Sequence, residues 1–204
     1  RGYVFASDFI SDDAAESEFR RKNPKVVDTR VIRFRSGYHR RSWIGNVVAI
    51  GNSAGFVEPL EATAIGFMCT AINHLVSFLK TGGHAVADVQ RDLFNRHQEE
   101  NWLQTRDFLA MHYKPNRLSR SAFWDFCREE QPLGDAQEIL DFYQAVGPDF
   151  RALQPRLRTD SFGAEGYLAI LVGQQVPHRG QKTMTTAEVD AWTKWRQNCS
   201  RQAE

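Results

Sequence analysis

Cysteine is scarce in this sequence: three residues, Cys69, Cys127 and Cys199, stand far apart with no C-x-x-C. An odd, scattered set excludes a disulfide framework or a zinc ribbon and fits a reducing, cytoplasmic setting. Charge of one sign is missing as well, because 26 Lys and Arg against 25 Asp and Glu leave a net charge of +1. No global field therefore draws the chain to nucleic acid or to an anionic membrane. The longest apolar stretch, around residues 64–79, is interrupted by Gly66, Thr70, Asn73, His74 and Ser77. It reads as too polar and too short for a membrane span. The six histidines form no i, i+4 pair and no H-E-x-x-H, so no metal site is expected. There is no G-x-G-x-x-G, no internal repeat and no signal peptide. The opening "RGYVFAS" begins in a strand-like run without a methionine, which reads as a fragment.

What is present suits a globular chain with a sizeable core: 204 residues, 42% hydrophobic and 25% charged. The pattern predicts a strand in "GYVFAS", then a helix in "SDDAAESEFRRK" capped by Ser11 or Asp12 and stopped by Asn23-Pro24. "VIRFRSGYHRRSWIGNVVAIGNS" reads as a strand, a turn at Ser36-Gly37, and a strand "VVAI" apolar enough to be buried on both faces. From Leu60 to Lys80, the residues Ile65, Met68, Cys69, Ile72, Leu75, Val76 and Leu79 recur at helical spacing before "TGGH" closes the helix. A second long helix is expected from about Asp88 to His112, ended by Lys114-Pro115, with shorter ones near 119–129 and 135–145. "QPRLRTDSFG" reads as a loop, and "EGYLAILVG" fits either a strand or a buried helix. "TTAEVDAWTKWRQN" predicts a terminal helix capped by Thr185 or Thr186, with Glu188 near the capping-box position.

The segment "GNSAGFVEPLEATAIGF", residues 51–67, differs from ordinary turn and ordinary helix. A buried strand, a turn of small residues and a following helix N-terminus form a cradle that lets backbone approach a flat or anionic ligand. Gly51, Ser53, Ala54 and Gly55 leave room, and Pro59 suits a first helical position. By spacing alone, Glu58 and Glu61 read first as helix-end residues, one near the cap and one a turn on, complementing the dipole. A catalytic reading needs more than that spacing.

The run "WIGNVVAIGNSAGFVEPLEATAI", residues 43–65, resembles the C-terminal flavin motif of the flavin-dependent, tryptophan-halogenase-like halogenases: W-x-x-N-x-x-x-x-G, a small-residue turn, then F-[LV]-E-P-L-E-[SA]-T. Weaker similarity extends to "RGYVFAS", "FRSG" and "GYLAILVGQQVP". The resemblance implies an α+β fold: the C-terminal part of a glutathione-reductase-like FAD-binding fold in residues 1–82, and a mainly helical, substrate-side region in 83–204. It implies halogenation of an electron-rich aromatic ring, such as tryptophan or indole, by hypohalous acid made from reduced FAD, dioxygen and chloride or bromide. Glu61 matches the family's catalytic glutamate, and Thr63 and Ala64 match the positions whose amides hold halide. Asn52 and Ile65, with Gly51, Pro59 and Leu60, match the flavin-contacting segment. Phe162 or Tyr167 is expected to line the substrate pocket. Ala62 and Ala64 replace a serine and a glycine common in tryptophan halogenases, which bears on the tryptophan-specific assignment. The family's G-x-G-x-x-G, its W-x-W-x-I-P box and its catalytic lysine belong to an N-terminal half, so the chain alone is expected to be inactive. A flavin reductase as electron source and a homodimer are further expectations, with neither nucleic acid nor membrane as partner.

Two other readings stand beside this one. A flavin-dependent aromatic monooxygenase of the same fold would use no halide. A non-catalytic anion-binding module would act through the basic hairpin of Arg30, Arg33, Arg35, His39, Arg40 and Arg41, though such residues more often protect a strand edge.

Overall fold

The first helix shows how locally the chain encodes its elements. α1 spans Asp12–Lys22, with Asp12 and Asp13 in its first turn and Arg20, Arg21 and Lys22 in its last, each sign matching the helix dipole. Ser11 caps it by accepting from the Ala14 amide at 3.3 Å, and Asn23 ends it before Pro24. In this computed structural model the described residues are 1–82, 85–181, 185–187, 190–191 and 193–194. Half of the expected terminal helix over 185–198, Glu188 included, lies outside them; of its described residues, 186–187, 190–191 and 193–194 are helical.

Helices dominate the rest of the chain. α2 spans Ala64–Gly82, α3 Asp88–Tyr113, α4 Ala122–Glu129, α5 Ala136–Val146, α6 Phe150–Leu153 and α7 Gly163–Gly173. "EGYLAILVG" is thus helical, its apolar residues wrapping round α7, where Tyr167 and Leu171 are buried. Among the described residues, sheet is confined to two pairs of two-residue strands. β1 (Gly37–Tyr38) runs antiparallel to β4 (Gly55–Phe56), and β2 (Trp43–Ile44) to β3 (Val47–Val48).

Several strand expectations are corrected. Residues 1–6 form no strand, and neither do residues 29–36. "VVAI" contributes Val47–Val48 to a hairpin, with Val47 66% exposed, so it is not buried on both faces. The Arg-rich segment is not a hairpin: residues 30–36 are irregular and Gly37–Tyr38 pair with β4 instead of within the segment. Arg33 pairs with Asp12, and Arg40 with Glu99 at 3.9 Å. Alternation in "GYVFAS" and an apolar run in "VVAI" carried these expectations, and neither can reveal whether a partner strand lies alongside.

Two apolar clusters form along α3. The smaller joins Trp43, Ala71 and Phe94, with Leu75 and Phe78 of α2 against it; Trp43 and Phe94 meet edge to face at 5.4 Å. The larger gathers Phe108, Met111, Leu140, Tyr143, Leu153, Tyr167 and Leu171 from α3, α5, α6 and α7. α3 therefore runs through both, holding the hairpin at one end and the helical region at the other. Its buried Asn95 clips the hairpin: the side chain accepts from the Trp43 amide at 2.7 Å and donates to the Trp43 carbonyl at 2.9 Å. Asn95→Ala would strand both backbone groups in a site where Trp43 is 3% exposed. The expected loss is about 2 kcal/mol, read as a lower denaturant midpoint at unchanged m-value.

The stripe on α2 is uncovered in this chain. Ile65, Ile72, Val76 and Leu79 are all exposed, while Ala71 is buried. The stretch Leu60–Thr81 is long and apolar enough to cross a membrane by length and composition, which corrects the reading of it as too short and polar. Counted from Leu60, its aliphatic residues outweigh the scattered Gly66, Thr70, Asn73, His74 and Ser77.

Candidate active site

The small-residue turn is built around close backbone packing. Gly51 opens a 3-10 turn over Gly51–Ser53 with φ +64°, and a Cβ there would lie 2.6 Å from the Met68 sulfur on α2. Ser53 closes the turn, its hydroxyl taking the Ile50 amide at 3.0 Å and bonding the Ile50 carbonyl at 2.9 Å. At Gly55 a Cβ would meet Tyr38 at 2.6 Å, so glycine is what lets β4 lie against β1.

Beyond β4 the chain departs from the expected helix start. Pro59 begins a second 3-10 turn, Leu60–Ala62, but Glu61 has φ +66° and Ala62 φ +51°. Two successive non-glycine residues in the left-handed region cost roughly 1–2 kcal/mol each. α2 begins only at Ala64. The helix-end reading of the glutamates is therefore corrected: Glu61 stands on a left-handed turn ahead of the helix, where local propensity would not put it.

Its side chain is held from across the molecule. The last turn of α3 presents His112 and Tyr113 side by side, and each grips one glutamate. His112 Nε2 lies 2.9 Å from Glu61 Oε1, and the Tyr113 hydroxyl donates to Glu58 Oε2 at 2.7 Å. Burial, reinforced by the Glu58 hydrogen bond, pushes the Tyr113 phenol well above its ordinary range, so it remains a donor. The His112 side chain is 18% exposed and that of Glu61 43%, so one end of the pair is sheltered and the other faces outward. Gln174, just past α7, fixes this turn further by donating to the His112 carbonyl at 2.9 Å.

An aromatic wall adjoins the pair. Phe108 stacks on Phe162, centroids 3.7 Å apart and planes 8° from parallel, and meets the His112 ring edge to face at 5.2 Å. Phe67 of α2 approaches Phe162 at 6.5 Å. Phe162 is partly exposed and so stands where an aromatic ligand near Glu61 could touch it. Tyr167 does not. It is 1% exposed within the larger cluster, and its hydroxyl donates to Asp160 at 3.3 Å. Burial, with Asp160 beside it, raises its phenol, and the expectation that it lines a pocket is corrected.

The remaining expected residues share the outward side of the turn. Asn52 is exposed, Ile65 is 69% exposed, Pro59 is exposed and Leu60 partly so. Thr63 and Ala64 sit where α2 starts, where amides lack an intrahelical carbonyl partner. Outside the helices, no backbone acceptor is paired with either amide among the described residues. First-turn amides, a polar amide side chain and an exposed aliphatic suit a flat, partly polar cofactor edge with an anion beside it. No group of three or more metal-ligating side chains occurs among the described residues. Sequence reasoning missed His112 and Tyr113 as site residues. They lie 51 and 55 residues from the glutamates they hold, and a helix end carrying His-Tyr gives no signal of that contact.

This geometry sits in a recognisable family. The chain matches the tryptophan halogenase family over residues 1–189 and belongs to it. It is 37% identical over 147 residues to tryptophan 7-halogenase RebH of Lentzea aerocolonigenes, covering 71% of this chain and 27% of that protein. It is 33% identical over 176 residues to 7-chloro-L-tryptophan 6-halogenase KtzR of Kutzneria sp., covering 84% and 33%. Among solved structures it superposes on MibH, a tryptophan 5-halogenase, with TM-score 0.78 and 34% identity, covering 90% of this chain and 36% of that one. BrvH, a flavin-dependent halogenase from Brevundimonas sp. BAL3, matches with TM-score 0.78 and 30% identity, covering 96% and 40%. The chain thus spans about a quarter to two fifths of the length of these relatives.

Proposed function

We propose that this chain forms the halide- and substrate-facing part of an FAD-dependent halogenase acting on an electron-rich aromatic ring such as indole. The observation that carries the reading is the E-P-L-E-A-T turn itself: a left-handed Glu61 clamped by His112, directly ahead of first-turn amides at Thr63 and Ala64. Reduced FAD, when bound, would supply the two electrons that let dioxygen oxidise halide. Asn52 and Ile65, with Gly51, Pro59 and Leu60 behind them, would hold its edge. The Thr63 and Ala64 amides would bind chloride or bromide by direct donation at the positive end of α2. Phe162 would pack on the substrate ring and help exclude water. Glu61 would accept the proton that the ring loses as halogen replaces hydrogen. A separate flavin reductase would supply the reduced cofactor.

Halide dependence tests this reading. The complete protein, given reduced FAD, dioxygen and an indole substrate, is expected to give halogenated product with saturable dependence on chloride or bromide. Product formed at the same rate without halide, as hydroxylated arene, would place the chain with aromatic monooxygenases instead.

A further inference from the structure

His112 stands in a hydrogen-bond frame that restricts where its protons can be. Nδ1 lies 3.1 Å from the Phe108 carbonyl, which only accepts, so Nδ1 carries a hydrogen. Nε2 faces Glu61 Oε1 at 2.9 Å. A neutral ring with its hydrogen on Nδ1 would oppose a lone pair to an ionised carboxylate. The 2.9 Å contact therefore requires a proton between Nε2 and Oε1, and with Glu61 ionised that proton makes the ring an imidazolium. Among the described residues, no other charged side chain is hydrogen-bonded or ion-paired to the ring. From its own helix the ring meets the Phe108 carbonyl and ring. From beyond α7, Gln174 contacts the His112 backbone, and Glu58, the other carboxylate of the turn, is taken by Tyr113. Among the described residues, Glu61 is the one titratable side chain hydrogen-bonded to the ring.

We propose that His112 is the positioning residue for Glu61: as an imidazolium it ties Oε1 from the end of α3, while Oε2, with no hydrogen-bond partner among the described residues, is left for the substrate. This rests on the catalytic reading of Glu61 for its kinetic consequence, but not for the pair itself. The left-handed backbone at Glu61 and Ala62 agrees with it, since a strained turn persists only where something outside it fixes its position.

The test uses the complete protein, with histidine selectively labelled with 15N and His112 assigned from His112→Phe. Long-range proton–nitrogen spectra at neutral pH should show both His112 ring nitrogens protonated in the wild type. An unprotonated Nε2 overturns the proposal whatever the kinetics. His112→Phe keeps the ring packed on Phe108 but removes the donor. It is expected to lower kcat about 10- to 100-fold with substrate KM within about threefold, the loss from removing one charge-assisted hydrogen bond. His112→Gln, which restores a donor, should recover most of kcat. Unchanged kcat in a folded His112→Phe, beside a crippled Glu61→Gln, would overturn the proposal and leave the halogenase reading standing. Undiminished turnover in Glu61→Gln would instead defeat the catalytic reading, with the nitrogen spectra still deciding the pair.

Discussion

Glu61→Gln in the complete protein is expected to lower halogenation by roughly two to four powers of ten, the usual worth of a positioned base or electrostatic partner. Glutamine keeps the shape and still accepts from His112, so the turn should survive and the thermal melt should move little. Glu58→Ala should do the reverse. Its carboxylate accepts from the half-buried Tyr113 hydroxyl, so its removal should cost stability and leave turnover nearly intact. The measurement is single-turnover product formation with reduced FAD, halide, dioxygen and substrate, beside a melt of each variant. A well-folded, flavin-loaded Glu61→Gln with near wild-type chemistry would assign Glu61 to holding the turn alone.

Ala64→Pro should weaken halide binding at least about tenfold, because it deletes one of the two amides that donate to the anion. Thr63→Val removes a hydroxyl and keeps both amides, so it should leave the halide concentration for half-maximal rate within about twofold. Proline at 64 also disfavours the helical backbone that Thr63 adopts, so circular dichroism of the variant must show α2 intact. Equal shifts in two folded variants would mean that side chains, not the main chain, hold the halide.

Much of the helical frame was legible because its signals are local. Ser11 and Asn23 bracket α1, and the apolar spacing on α3 gave its start at Asp88 and its end within one residue. The strands were legible only in part. Each has two residues; "VVAI" marked β3, but alternation in "GYVFAS" and an apolar run in "VVAI" carry no information about pairing. The motif at 51–67 marked the site, yet its conformation was hidden: nothing in E-P-L-E-A-T announces two left-handed residues, since local propensity argues against them. Tyr167 was misplaced for a related reason, because an aromatic near a motif looks the same whether it faces a ligand or a core. His112 and Tyr113 come from a contact between segments about fifty residues apart, which only the folded chain supplies.

The left-handed pair at Glu61 and Ala62 also sets how this segment can drift under selection. Glycine adopts that conformation freely, so screens for thermal resistance should favour glycine at 61 or 62 before most other positions. At 61 such a change would erase the carboxylate; at 62 it would relax the turn that aims it. Branched side chains would be purged from both places for the opposite reason. Selection for robustness and selection for chemistry would thus pull on the same two residues in different directions.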